Sequence, residues 1–281
     1  MNLETQDQPP NILLSLDEVG ITDFRTQISI SRGTKVYCYT TNITVVINLP
    51  PSKKGAHMSR FIESISEILS SKTDSFFSLE EMSIQVLQEL FTRHPFETGM
   101  ITLSFEFFTP RLTPVSKRNS LENYRGQLIT YWENGSATHE LSLGTSGSTA
   151  CPHALVNNPH NRTHIQRAYA ELTLKGKTSE IPDMEIISKI LDQSFSAPSF
   201  SLLKQEDEQW VVNRMYENPL FVEDVTRNLL KNAVLEFKDY KLDIEATTTS
   251  LESIHKHNII SKGSTSTYQE TKIKYKVNMA E

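Results

Sequence analysis

The sequence predicts an α+β protein built as two modules of similar size. Stretches of β-branched and aromatic residues alternate with stretches whose apolar residues recur at helical spacing. The order strand, helix, helix, strand, strand appears once in the first half, and a similar order begins again after a glycine- and serine-rich stretch near residues 142–150. A chain of 281 residues has room for two cores of this kind. The expected division is a polar, proline-bearing lead-in over residues 1–18, a first module over 19–143 and a second over 144–281.

The elements follow in order. "KVYCYTTNITVVINL", from Lys35, is rich in β-branched and aromatic residues and reads as a strand. "PPSKKGAHMS" interrupts it. Ser59 is placed to cap a helix through "RFIESISEILSS", where Phe61, Ile62, Ile65, Ile68 and Leu69 fall on one face. Ser78 with Glu81 resembles a capping box for a second helix, whose buried stripe is Met82, Val86, Leu87, Leu90 and Phe91. "GMITLSFEFFTP" and "GQLITYWENGSATHELSL" read as strands, the second folded at an Asn134-Gly135 hairpin turn. Beyond "GTSGSTACP", "THIQRAYAELTLKG" reads as a strand and "IPDMEIISKILDQSF" as a helix opened by Pro182. A broken helix follows, its second part started by Pro219. "KDYKLDIEATTTS" and "TYQETKIKYKVNMA" alternate as strands, with a solvated polar connection before "SKGSTS".

Composition removes several functional classes. No apolar run approaches the roughly 20 residues that span a bilayer, and the N-terminus lacks the layout of a signal peptide. Two cysteines, Cys38 and Cys151, cannot make a disulfide framework and suit a reducing cytoplasm. A net charge of −6 argues against a general nucleic-acid binder, while leaving room for a local basic pocket.

Four clusters could carry chemistry. In "CPHALVNNPHNRTHIQR", Cys151 is followed by His153, His160 and His164; thiolate and imidazole are ligands for zinc or iron, but the spacing matches no standard finger. A metal site and a buried cysteine beside surface histidines both remain open. "SLESIHKHN" carries Glu252, His255 and His257, either converging in a loop or simply solvated. "KKGAHMSR" sets Lys53, Lys54, His57 and Arg60 around a glycine at a helix start, which suits a phosphate. "QEDEQW" and "NPLFVED" carry Glu206, Asp207, Glu208, Glu223 and Asp224, most of which a helix surface would explain.

Taken together, "KKGAHMSRFIE", "PVSKRNS", "ACPHA…HIQRAYAEL", "DEQWVV…YENPLFVEDVTRNL" and "LESIHKHN" resemble, in order and spacing, the type IB GTP cyclohydrolases. "DEVGI" near the N-terminus fits the same pattern, so the resemblance runs from about residue 16 to residue 260. The related archaeal methanopterin-pathway GTP cyclohydrolase shares most of these motifs. In that branch a long insertion is expected between the cysteine and the "HxQR" histidine, and its absence here tilts the reading to the folate-type branch.

The resemblance implies the tunnelling fold, with tandem modules of antiparallel sheet and helices on one face, assembled as a homotetramer with sites at subunit interfaces. It implies one divalent metal per site (zinc, manganese or iron) held by Cys151, His164, Glu208 and His255. Cys151, His164 and Glu252 are the implied catalytic residues. Glu223 matches the glutamate that anchors guanine, and His57 and Arg60, with Lys54 beside them, match the residues placed at the triphosphate. The implied reaction is hydrolysis of GTP at C8, releasing formate and forming 7,8-dihydroneopterin triphosphate, the first step toward tetrahydrofolate-type pterins. Water is a poor nucleophile toward C8, so a Lewis acid that lowers its pKa and a nearby proton carrier make sense of these residue types. A carboxylate accepting from the guanine N1–H and 2-amino group excludes adenine.

Three departures stand out. His153 replaces a second cysteine of the family's "CPC", Ile165 replaces the asparagine of "HNQR", and Ala56 replaces the threonine of "GTHMSR". Two alternatives follow: the archaeal-type enzyme, giving 7,8-dihydroneopterin 2′,3′-cyclic phosphate, and a non-catalytic purine- or pterin-binding protein. His94, His139 and His160 receive no role.

Overall fold

A computed structural model describes residues 5–32, 35–71 and 76–268. Among them the strands are β1 (Leu16–Arg32), β2 (Lys35–Leu49), β3 (Thr98–Leu112), β4 (Asn119–Glu133), β5 (Ser136–Ala150), β6 (Ile165–Gly176), β7 (Ala197–Pro198), β8 (Asp243–Leu251) and β9 (Ile259–Ser266). The helices are α1 (Met58–Ser71), α2 (Leu79–Arg93), α3 (Pro152–Asn157), α4 (Met184–Ser194), α5 (Gln205–Glu217) and α6 (Val222–Glu236). The strands pair in the order β1-β2-β3-β4-β5-β6-β8-β9, with β7 against β5. The β1–β2, β2–β3, β5–β7, β6–β8 and β8–β9 pairings are antiparallel. Among the described residues no helix is long and apolar enough to cross a membrane.

Contacts divide the chain into two units. One comprises Met1–Phe107, Arg125–Leu141 and Lys177–Ser179; the other comprises Phe108–Tyr124, Ser142–Gly176 and Glu180–Glu281. In the first, α1 packs on α2 and on β1. Ile43, Val45, Ile47, Phe61, Ile65, Met82, Val86, Leu90, Ile101 and Leu103 form its solvent-excluded core. In the second, α6 lies against β6, β8 and β9, and α4 packs on β6 and α6. Alternate residues of β6 (Ala168, Ala170, Leu172, Leu174) and β8 (Ile244, Ala246) face Ile187, Leu191, Val225 and Leu229 in its core. Each buried Val, Leu, Ile, Met or Phe side chain contributes about 1.5–3 kcal/mol, and that burial dictates which strand face meets the helices.

Several sequence expectations are met. β2 spans the stretch read as a strand, and α2 starts after Ser78, whose Oγ accepts from Glu81 N at 3.1 Å. Asn134 and Gly135 adopt φ of 47° and 83°, joining β4 to β5 by the tight turn that requires positive φ at both central positions. Other expectations need correction. Leu16, Asp17 and Glu18 belong to β1 rather than to a lead-in, so a strand precedes the one read at Lys35. α1 begins at Met58, which puts Ser59 inside its first turn. Asp183, not Pro182, caps α4 by accepting from Glu185 N at 2.9 Å, and Pro219 precedes Phe221, the residue before α6. Residues 142–150 complete β5 without a break, and the contact division of the chain falls between Leu141 and Ser142. The polar connection read before "SKGSTS" stands over residues 252–258, but "SKGSTS" itself lies in β9. Of "TYQETKIKYKVNMA", everything from residue 269 lies outside the described residues.

Candidate functional site

One end of the second unit gathers most of the residues singled out above. β5 ends at buried Ala150, and Cys151 follows as the residue before α3, whose first position is Pro152. Proline suits that position because its missing N–H has no intrahelical acceptor to lose. Cys151 Sγ accepts from Ala154 N at 3.4 Å. The chain then returns on itself: Cys151 N donates to His164 O at 3.2 Å, and Thr163 Oγ1 donates to Cys151 O at 2.6 Å. Two residues far apart in sequence thus become backbone neighbours, both half-buried.

His164 is also oriented. Its Nδ1 lies 2.9 Å from Gln166 Oε1. An amide oxygen only accepts, so Nδ1 carries the proton, and in the neutral ring Nε2 presents its lone pair. That is the tautomer a ligand or proton acceptor requires, and Gln166 was not among the residues sequence reasoning named. His153, in place of the second cysteine, is exposed on α3 with its Nδ1 at 3.2 Å from Asn157 Nδ2.

The neighbouring elements are tied to this end by backbone contacts. Ala150 forms an antiparallel bridge with Leu220. Buried Ser196 Oγ accepts from Ala150 N at 3.3 Å and from Leu220 N at 3.1 Å. Asn218 Nδ2 donates to Phe195 O and Ser196 O at 3.2 and 3.3 Å. These bonds set the entry to α6, where Glu223 lies exposed in the first turn and Asp224 Oδ2 accepts from Phe221 N. On α5, Val211 and Met215 pack with Ala150, Ala197 and Ile165. Glu208 stands three and seven residues before them, on the same helical stripe, and is exposed.

The β8–β9 connection completes the end. Leu251 pairs with Arg167 in the last register position of β8, so Glu252 emerges beside the start of β6. Ser250 Oγ donates to Glu252 Oε1 at 2.6 Å. His255 and His257 lie exposed in the connection with rings stacked at 5.3 Å.

Cys151, His164, Glu223, Glu252 and His255 therefore share one end of the unit. Yet among the described residues no three His, Cys, Asp or Glu side chains are close enough together to hold a metal ion. A thiol and an imidazole suit a borderline divalent metal, but one chain does not close the four-ligand set. Glu208 and His255 face outward, where a charged or polar tip is hydrated without cost.

The loop of the "PVSKRNS" motif is held by a residue the sequence left among surface acids. Asp207 is fully buried and accepts from Val115 N, Ser116 N and Lys204 N at 2.9, 2.9 and 3.0 Å, and from Ser116 Oγ at 2.5 Å. Burial alone would raise its pKa; the Ser116 hydroxyl and the backbone donors outweigh it and hold the carboxyl well below its usual range. Lys117, at φ 54°, and Arg118 are presented outward by this anchored loop.

In the first unit, the "KKGAHMSR" residues surround the start of α1. Lys53 Nζ and His57 Nε2 meet the two oxygens of Asp7, at 2.5 and 3.4 Å. Lys53 holds the Asp7 carboxyl below its ordinary pKa. Lys54 is exposed, whereas Arg60 is half-buried with Nη1 donating to Arg93 O at 2.9 Å. His94, given no role from sequence, is buried here edge-to-face with His57, ring centroids 6.0 Å apart. Burial, then the charges of Arg60, His57 and Lys53, push its pKa down. His139 is instead a core residue between Thr130 Oγ1 and Thr178 Oγ1 at 2.9 and 2.8 Å, and His160 is exposed.

Comparison with known proteins identifies the fold first. Uricase from Arthrobacter globiformis superposes with a TM-score of 0.61 at 6% identity, covering 95% of this chain and 99% of that one. The chain has the α+β tunnelling fold. The family model of "Type I GTP cyclohydrolase folE2" matches residues 3–261. GTP cyclohydrolase MptA from Pyrococcus furiosus is 37% identical over 268 residues, covering 93% of this chain and 99% of the relative. That from Thermococcus kodakarensis is 38% identical with the same coverage. GTP cyclohydrolase FolE2 from Neisseria gonorrhoeae is 29% identical over 248 residues, covering 87% and 91%. The chain belongs to the type I GTP cyclohydrolase family.

Proposed function

We propose that this GTP cyclohydrolase opens the guanine ring of GTP at C8, releases formate and yields 7,8-dihydroneopterin triphosphate for pterin biosynthesis. The observation that carries the reading is the gathering of Cys151, His164, Glu223 and Glu252 at one end of a unit, in a chain of this family. Glu223, in the first turn of α6, accepts the guanine N1–H and 2-amino group. His164, with Nε2 available, and Glu252, steadied by Ser250, are placed to move protons as the ring opens. His57, Arg60 and Lys54 contact phosphate.

The proposed cofactor is one divalent metal (zinc, manganese or iron), whose contribution would be to acidify water. Cys151 and His164 are its proposed ligands, with Glu208 and His255. The outward exposure of the latter two supports a homotetramer in which subunit interfaces close each set. A cytoplasmic location is supported by free thiols at Cys38 and Cys151. The test is incubation with GTP and Zn²⁺, Mn²⁺ or Fe²⁺ in turn: formate appears, and oxidation gives a fluorescent pterin. Absence of formate with all three metals refutes the reading.

A second reading concerns the product alone. The relatives named MptA range from 26 to 38% identical, against 29% for the one named FolE2, and the three at 37–38% favour 7,8-dihydroneopterin 2′,3′-cyclic phosphate. The missing insertion does not discriminate between the branches. The Pyrococcus relative aligns over 99% of its length in 268 positions, which leaves no room for a long one. Mass analysis separates the triphosphate from the cyclic monophosphate.

A further inference from the structure

The basic cluster at the start of α1 places Arg60 and His94 beside Lys53 and His57. Lys53 and His57 both meet the Asp7 carboxylate. Arg60 is half-buried, bonds only the Arg93 carbonyl, and has no carboxylate partner among the described residues. His94 is 5% exposed, and its Nε2 is sealed from solvent with no hydrogen-bond partner among the described residues. An orphaned imidazole nitrogen beside an unneutralised guanidinium is costly in a protein interior. Both costs vanish if an anion with several acceptor oxygens lies between them.

Residues 5–8 cover the donors such an anion would use. The N–H groups of Lys54 and Gly55, just before α1, donate to Gln6 O at 3.0 and 3.2 Å, and Lys54 N also lies 2.9 Å from Gln8 O. The Asp7 carboxylate takes the Lys53 ammonium and the His57 ring. A carboxylate facing lysine, imidazole and the start of a helix occupies the position of a bound phosphate. It has only two oxygens, however, and leaves Arg60 and His94 unserved. A phosphate tail has enough acceptors for all four groups.

We propose that Lys53, His57, Arg60 and His94 form a polyphosphate seat in which Asp7 is an internal stand-in, displaced by the tail of a nucleoside triphosphate. The inference rests on the reading of His57 and Arg60 as phosphate contacts. It adds His94 as a further contact and Asp7 as a built-in competitor.

The experiment is calorimetric titration of the full chain with inorganic tripolyphosphate, alongside the KM for GTP. Asp7→Asn should tighten tripolyphosphate roughly tenfold, the factor for losing one competing charge-assisted contact, and lower the KM for GTP similarly. Asp7→Ala should act in the same direction. His94→Phe keeps the ring volume and should weaken binding roughly fivefold, while His94→Gln, which restores a polar group, should fall between. Asp23→Asn removes an exposed charge elsewhere in this unit and should leave binding unchanged.

Tightening as large in Asp23→Asn would assign the effect to net charge and overturn the proposal. Unchanged or weaker binding in both Asp7 variants, with Arg60→Ala still weakening it, would overturn the stand-in while sparing the phosphate reading. Indifference to Arg60→Ala as well would remove the phosphate reading itself. Tighter tripolyphosphate with an unmoved KM would overturn the assignment to a nucleotide tail.

Discussion

Ser196 is the smallest group on which the arrangement of the candidate site depends. Its buried Oγ accepts from Ala150 N and Leu220 N, and so fastens the residue before Cys151 to the segment that leads into Glu223. Ser196→Ala leaves both N–H groups without that acceptor. A buried donor deprived of its partner costs about 1–3 kcal/mol. The Ala150 contact is the longer and weaker of the two, so the sum should be about 2–4 kcal/mol. The Asn218 bonds to Phe195 O and Ser196 O survive the substitution, which preserves the chain path and prevents the gap from collapsing. The expected result is urea unfolding at lower denaturant and a fall in kcat/KM of roughly ten- to a hundredfold, because small displacements of positioned groups are costly. Ser194→Ala is the control. Its Oγ donates back to Ile190 O within α4, and losing that bond should cost under about 1 kcal/mol with kcat/KM unchanged. If Ser196→Ala matches wild type in both unfolding and formate release, the coupling of Cys151 to Glu223 through this hydroxyl is refuted.

Three further outcomes are expected. Cys151→Ala should abolish formate release, whereas Cys38→Ala, at an exposed position of β2, should not; equal silence of both would remove Cys151 from the site. His139 should make stability pH-dependent. Burial lowers its pKa from 6.5 to about 4, so the unfolded chain binds the proton more readily between those values. The stability is fully present above the unfolded pKa and lost as pH falls through the folded one, about 3 kcal/mol over the window; His139→Gln should flatten the urea midpoint there. Asp207→Asn, which places an amide among four donors, should expose the loop of residues 113–118 to limited proteolysis and lower the melting temperature, while the far-ultraviolet dichroism is retained.

What could be read from sequence follows from how much of each element's information is local. β2 alternates β-branched and aromatic residues because one face is fully buried, and Asn134-Gly135 supplies a backbone preference few dipeptides share. β9 escaped because only its final residue, Ser266, is buried; a strand without a buried face needs no apolar alternation. β1 escaped because its register shifts between Leu16 and Val19 and between Ile21 and Phe24, with Asp23 at φ 58°, so the period of two is broken. The glycines of "GTSGSTA" lie within a continuous strand. A Cβ on Gly147 would lie 2.2 Å from the Phe195 ring, so that glycine answers to close packing rather than to flexibility.

The candidate site divides along the same line. Cys151, His164, Glu208, Glu223 and His255 stand in motifs, where side-chain identity alone is informative. Ser196, Gln166 and His94 act by accepting from backbone, orienting a ring or lying buried beside a charged cluster. Those roles arise only once tertiary register brings distant segments together, and serine, glutamine and histidine are too common to announce them. Chemistry-bearing residues are therefore legible one at a time, whereas the residues that aim them become visible only through the contacts they make.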